Sequence, residues 1–210
     1  NWKPRTRADY EKLYTRFVQP RFGTAQLARI APREIDALLA EIAPRTREQV
    51  YALLRAVFRY AVRRGYLEES PIARVEPPRH QRAPLELPSA ELIFSRLLAH
   101  REHPSWTWVA FALATGLRPG EQAALRWGDI DLAAGTVRVE RSGQYIRGEW
   151  VETRPKTVAG FRVLSLPALA KDALLEQLTR VQDASDTALV FPRRDGKPYA
   201  HWDISHALRR

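Results

Sequence analysis

Four prolines, Pro77, Pro78, Pro84 and Pro88, crowd the stretch from Glu76 to Pro88 and constrain the fold more than any other feature of the chain. Each lacks a backbone donor and clashes with the preceding helical turn, so no regular element runs through them. The chain must therefore build one body on each side. The sequence predicts a first domain over 1–76, a linker over 77–88 and a second domain over 89–210. Charge divides at the same place: residues 1–84 hold 17 basic and 9 acidic side chains, residues 85–210 hold 17 and 15, so the positive excess belongs to the first part. With 210 residues, 45% of them hydrophobic, there is material for a core on each side. A net charge of +10 on a foldable chain points to a polyanionic partner, nucleic acid ahead of an anionic membrane surface.

Several classes drop out. The longest apolar run, Trp106 to Ala114, is about half the roughly 20 residues that span a bilayer, so no membrane association is expected. Charges interrupt the first twenty residues, which excludes a secretory signal there and makes the cytoplasm the default location. Without cysteine there can be no disulfide, thiolate zinc site or cysteine nucleophile. Without methionine, Asn1 is not an initiator residue, and the expectation is a chain processed or sampled from something longer.

The first part reads as helices. Tyr10, Leu13, Tyr14 and Phe17 line one face of a run that Pro20 and Gly23 should end; Ile35, Leu38, Leu39 and Ile42 line another, opening near Pro32 and stopping at Pro44. A third helix is expected from Thr46, as N-cap, to Gly65, with Val50, Leu53, Leu54, Val57, Phe58, Ala61 and Val62 on its apolar side. Its remaining faces carry Arg47, Arg55, Arg59, Arg63 and Arg64, which must meet solvent or phosphate because a core cannot hold them unpaired. Beyond the linker, Ser89 should cap a helix through Leu98. Trp106–Thr115 should be a helix buried all round, and Trp127–Asp131 a turn. The period then changes to two over Thr136–Glu140, Glu149–Thr153 and Phe161–Leu166, which predicts one three-stranded antiparallel sheet. Helical spacing resumes over Ala168–Val181. The fold class is mainly α with a small antiparallel sheet.

Phosphate-binding loops of the Walker type, dinucleotide glycine fingerprints, nucleophile elbows and paired-histidine zinc motifs are all missing. His100 and His103 could share a helix face, but no third ligand stands nearby, so no metal is expected. The most unusual string is Ala114-Thr115-Gly116-Leu117-Arg118-Pro119-Gly120-Glu121. Glycine interrupts a buried helix, and a second helix opens at Pro119. Arg118 thereby emerges at a helix N-terminus with Glu121 one turn on, an arrangement that can grip phosphate oxygens with an oriented guanidinium. On spacing alone the same two residues also fit an i, i+3 ion pair closing a turn. Lys156 falls between the second and third strands, where a lysine can reach a DNA backbone or serve as an ordinary exposed turn residue. Arg154 and Arg162 cluster with it and favour nucleic acid.

These strings, taken in order, resemble the tyrosine recombinase, or phage integrase, family. Residues 114–121 match A-T-G-[LM]-R-x-[GS]-E, and Leu125-Arg126-Trp127-Gly128-Asp129-Ile130-Asp131 resembles the L-x-W-x-D-I-D stretch that follows in the family. Pro155-Lys156-Thr157 and Arg162-Val163-Leu164-Ser165-Leu166-Pro167 are similar to its K-T-x-x-x-x-R-x-[VI]-P-L pair. Upstream, Arg21-Phe22-Gly23, Ile30 to Ile35 and Ala61 to Pro71 resemble its core-binding domain. The resemblance implies a SAM-like helical core-binding domain joined to part of an α+β catalytic domain. It implies that Arg118 is the first catalytic arginine, that Lys156 protonates the departing 5′-oxygen and that Glu121 supports Arg118. Arg47, Arg55, Arg59, Arg63, Arg64, Arg154 and Arg162 become candidates for DNA contact. The implied reaction uses no metal or cofactor: a tyrosine attacks the scissile phosphate and forms a 3′-phosphotyrosine. Partners would be double-stranded DNA and further recombinase protomers in a tetrameric synapse, in a prokaryotic or phage-encoded setting at the nucleoid.

The family's H-x-x-R, His or Trp, and tyrosine should come next. His206-Ala207-Leu208-Arg209 imitates H-x-x-R but follows Phe191-Pro192 with too little chain for the intervening helix, and Tyr199, the last tyrosine, precedes it. The expectation is a fragment lacking the nucleophile and inactive in cleavage by itself. The alternative is a non-catalytic DNA-binding remnant or regulator.

Overall fold

The computed structural model describes residues 2, 4–79, 84–153, 160–200 and 203. They form two compact units, 1–86 and 87–210.

In the first unit, α1 (Pro4–Leu13) runs through a π turn (Tyr14–Val18) into α2 (Gln19–Phe22). The run therefore passes Pro20 and ends at its other expected stop, Gly23, which caps α2. A proline inside a regular helix clashes with the carbonyl four residues back; the wider π turn ahead of Pro20 changes that spacing and lets the helix pass to Phe22. The next helix, α3 (Pro32–Ala40), opens on its proline, and Glu34 accepts the Ala31 N–H at 2.8 Å. It stops short of Pro44, which instead begins α4 (Pro44–Arg63). Thr46 thus lies inside the first turn and is not the N-cap, because a proline at the first helical position has already set the backbone. Val50, Leu53, Leu54, Phe58 and Ala61 bury the expected stripe of α4. Val50, Leu53, Leu54 and Phe58 pack with Ile35, Leu38, Leu39 and Ile42, and with Ile72 and Val75 from beyond the helix. Gly65, at φ 74°, terminates α4 in a left-handed conformation.

In the second unit, α5 (Ala90–Ala99) has the predicted cap, Ser89 Oγ accepting the Leu92 N–H at 3.2 Å. The core is α6 (Trp106–Thr115) packed along α8 (Ala168–Arg180). Trp106, Trp108, Ala110 and Phe111 are buried, but Leu113 is 49% exposed, so α6 is not buried all round: its last turn emerges at the surface. Two buried polar side chains, Thr107 and Gln177, satisfy each other at 2.6 Å.

The strands depart from expectation. There are two small sheets among the described residues, not one of three strands. β1 (Ile130–Asp131), β2 (Thr136–Val139) and β5 (Arg162–Ser165) form one in the order β1-β2-β5, while β3 (Ser142–Ile146) and β4 (Glu149–Thr153) form the other. All pairs are antiparallel, and Val139 faces Arg162 at the β2–β5 end. Nor is Trp127–Asp131 a simple turn. Trp127 and Asp129 are buried in a single 3-10 turn leading into β1, and the Asp129 carboxylate accepts the Arg126 N–H at 2.9 Å and pairs with Arg141.

Candidate phosphate-gripping site

Gly116 ends α6 at φ 65°, ψ 20°, a left-handed cap that any side chain would strain. Leu117 turns inward and is buried, and Arg118 is extended immediately before α7 (Pro119–Ala123). The chain thus reverses with one residue anchored in the core and the next turned outward. The Arg118 side chain is 77% exposed and that of Glu121 only 7%. Glu121 Oε2 accepts the Arg118 backbone N–H at 3.0 Å, and its Oε1 accepts from Arg118 Nη1, also at 3.0 Å. The carboxylate that closes the turn therefore also steadies the guanidinium, as the i, i+3 ion-pair reading of the spacing expects.

A third residue completes the cluster. Arg162, on the first position of β5, donates Nη2 to Glu121 Oε2 at 2.8 Å and Nη1 to Oε1 at 3.2 Å. The fork of Arg162 thus takes both oxygens, whereas Arg118 spends one guanidinium nitrogen on them. Burial alone would push the Glu121 carboxyl up; the hydrogen bonds from Arg162, the Arg118 N–H and the Arg118 guanidinium outweigh it and hold the group below the ordinary glutamate range. The same pairing raises the Arg162 guanidinium further above its ordinary value. Both shifts favour the charged forms of Glu121 and Arg162 at neutral pH.

The helix end contributes less than the sequence suggested. With five residues, α7 carries little macrodipole, and the N–H of its capping residue is already taken by Glu121. What holds α7 in place is packing. Gln122, buried, donates Nε2 to the Trp108 carbonyl at 2.8 Å, tying α7 to α6. Gly120 lies so close to β3 that a Cβ there would stand 2.7 Å from the Gly143 carbonyl oxygen and 2.8 Å from Ser142 Oγ. Gly143 is itself covered by Trp150, whose Cζ2 would be 1.9 Å from a Cβ.

Lys156 and Arg154 lie outside the described residues, as do His206 and Arg209. In the sequence, Lys156 falls between β4 and β5. These two strands pair with β3 and β2, not with each other. Of the α4 arginines, Arg47 is committed elsewhere: Nε and Nη2 donate to the Ile42 carbonyl at 3.1 and 3.0 Å, and Nη2 also reaches the Ala40 carbonyl. It ties down the chain leaving α3. Arg55, Arg59, Arg63 and Arg64 are exposed, and Arg64 lies over the Tyr60 ring at 5.4 Å. The sequence reading missed Arg45, also exposed: at 100° per residue Arg45, Arg55, Arg59 and Arg63 share an arc of about 80° along roughly 27 Å of helix. The signal was present in that periodicity. His100 and His103 engage backbone, at the Arg96 carbonyl and the Ser105 N–H, and no group of three metal-ligating side chains exists among the described residues.

Together these features define a chain with a helical unit carrying a basic helix and an α+β unit displaying an exposed arginine braced by a buried carboxylate. The phage integrase family model matches residues 93–210, and the phage integrase central domain matches residues 1–77. The chain belongs to the phage integrase family. Over 150 residues it is 31% identical to the prophage integrase IntR of Escherichia coli K12, covering 71% of this chain and 36% of IntR. Over 197 residues it is 29% identical to a putative prophage phiRv2 integrase of Mycobacterium tuberculosis, covering 90% of this chain and 52% of that protein. The chain thus spans 36% and 52% of the length of these two relatives. Among solved structures, the Tn1549 transposon integrase in complex with a circular intermediate DNA superposes with a TM-score of 0.83 at 16% identity, over 100% of this chain and 73% of that one. A lambda integrase dimer bound to a COC′ core site gives 0.71 at 19%, over 100% and 74%. At such identities the two share the fold. No helix among the described residues is long and apolar enough to cross a membrane.

Proposed function

We propose that the chain is the DNA-gripping core of a site-specific tyrosine recombinase, acting on double-stranded DNA together with further protomers in a prokaryotic or phage-encoded setting at the nucleoid. Residues 1–76 serve as the core-binding domain, with Arg55, Arg59, Arg63 and the neighbouring Arg45 and Arg64 meeting phosphates, and residues 89–210 carry the catalytic residues. The observation that carries this reading is the exposed Arg118 guanidinium braced by Glu121. An arginine with one nitrogen anchored and the others turned to solvent can take two oxygens of the scissile phosphate and stabilise charge that grows as the phosphorus becomes pentavalent. In the reaction a tyrosine hydroxyl forms the bond to phosphorus and the 5′-oxygen leaves with a proton from Lys156, so the bond energy is kept in a 3′-phosphotyrosine for rejoining.

Tyr199 is not the attacking group in this proposal. Its ring packs on Trp108 at 5.2 Å, and burial, reinforced by the Asp203 carboxylate, pushes its phenol up, against deprotonation. The 210 residues alone should bind DNA and leave it uncleaved. Two measurements test this. Titration of a labelled duplex at two ionic strengths should give a steep loss of affinity with salt, as counterion release by several phosphate contacts requires; absent or salt-independent binding would refute the DNA-gripping role. Incubation with a nicked duplex should give no denaturant-stable adduct, and an adduct at any tyrosine would refute the inactivity of this chain.

A further inference from the structure

Arg162 was a candidate for DNA contact, yet its geometry argues for a different task. Its side chain is 27% exposed, and both terminal nitrogens are spent on one buried carboxylate. Resting on the reading of Arg118 above, we infer that Arg162 is a positioning residue: by occupying both oxygens of Glu121 it prevents that carboxylate from capturing the whole Arg118 fork, and so keeps Arg118 available to a DNA phosphate.

The reasoning is competitive. Glu121 pairs with Arg118 at 3.0 Å and lies in a partly desolvated place, where a fork-to-carboxylate pair is strong. Left alone with Arg118, it would draw in a second guanidinium nitrogen and form a neutral pair that offers a phosphate nothing. Arg162 changes both charge and geometry. Two guanidiniums and one carboxylate leave a net positive cluster, and each Glu121 oxygen already accepts from Arg162, so Arg118 is held through Nη1 alone. The strand register makes the arrangement rigid, since Arg162 faces buried Val139 across β2–β5. Arg162 thereby fastens the strand that follows the Lys156 segment to the helix that follows Arg118. Lysine would do this less well, because its ammonium lacks the planar fork that sends two parallel N–H bonds to the two carboxylate oxygens.

The test is a double-mutant cycle on the full 210-residue chain, binding a fluorescein-labelled duplex in 0.15 M salt, where charges more than about 8 Å apart are largely screened. Arg162→Gln should weaken binding roughly three- to tenfold, the loss of about one phosphate contact. In a Glu121→Gln background, with no carboxylate left to capture Arg118, the same substitution should cost less than about twofold. Equal factors in the two backgrounds would mean that Arg162 touches DNA itself and would overturn the inference. A second measurement needs no DNA: carboxyl carbon NMR should find Glu121 titrating higher in Arg162→Gln than in the parent, with Arg162→Lys between them. An unchanged Glu121 titration would overturn the inference even if Glu121→Gln fails to fold. A chain that binds no duplex at all defeats the proposed function instead, and leaves the positioning role to be judged on this titration.

Discussion

Replacing Gly120 with alanine isolates the packing that aims Arg118. The added Cβ would stand 2.7 Å from the Gly143 carbonyl oxygen, about 0.7 Å inside the 3.4 Å at which ordinary contact begins. Relief on the β3 side is blocked, because Gly143 is itself pressed against the Trp150 indole. The helix must therefore lift. Overpacking of this kind costs about 1–3 kcal/mol, while alanine regains at most about 0.8–1 kcal/mol of helix propensity over glycine. Because the β3 side cannot give, the upper half of that range applies, and a net loss of about 1–2 kcal/mol remains, which in a unit of this size lowers the melting temperature by roughly 5–10 °C. Because α7 carries Glu121 and follows Arg118 directly, duplex affinity should fall as well. Thermal unfolding by circular dichroism and anisotropy titration read the two effects. A melting temperature equal to or above the parent's would refute the reasoning, since it would mean that propensity outweighs contact and that α7 is not seated on β3. Gly116→Ala is the complementary case: nothing lies within 4 Å of its Cβ, so its cost, about 1–2 kcal/mol, comes from the left-handed backbone alone.

Three further outcomes are expected. Changing Arg55, Arg59 and Arg63 together to alanine should flatten the dependence of log affinity on log salt by about 2.7, at about 0.9 per lost phosphate contact, and an unchanged slope would remove this face of α4 from the interface. Arg47→Ala should instead lower unfolding free energy by about 1–2 kcal/mol with affinity held, since its hydrogen bonds go to the Ile42 and Ala40 carbonyls; lost affinity at unchanged stability would reverse that assignment. Glu121, depressed in the folded chain, stabilises it above the unfolded-state glutamate pKa of about 4.3, and that contribution disappears as pH falls through the lower folded value. The stability gap between the parent and Glu121→Gln should therefore be wider at pH 7 than at pH 3 in urea titrations, and a gap independent of pH would show that the carboxylate's charge is not what stabilises the site.

The parts of this molecule written locally were legible in the sequence. The apolar stripe of α4, the Ser89 cap and the Arg118–Glu121 spacing each depend on neighbours three or four residues away, and period alone reports them. The role of Arg162 was hidden because its partner lies 41 residues earlier, on another element, and nothing in a strand pattern names what a side chain at its end will meet. The strand partners were hidden for a related reason. Alternation marks a segment as a strand but not what it pairs with. Ser142-Gly143-Gln144-Tyr145-Ile146 has too weak an alternation to be read as β3, so β4 was assigned to the wrong sheet. Helix boundaries erred at Pro20 and Pro44 because proline both stops and starts helices, and which it does depends on the turn in front of it.

The pairing of Val139 with Arg162 has an architectural consequence. Directly opposed residues of an antiparallel ladder have their α-carbons only about 4.5–5.5 Å apart, so everything between them, including the β3–β4 ribbon, leaves the β1-β2-β5 sheet and returns to nearly the same point. Such a detour can lengthen or shorten at little entropic expense, each doubling costing only about 0.6 kcal/mol, without disturbing the ladder at its base. The constraint on its size comes from α7, whose backbone needs β3 beneath it. Within this fold, the tip is therefore free to diversify while the stem is not.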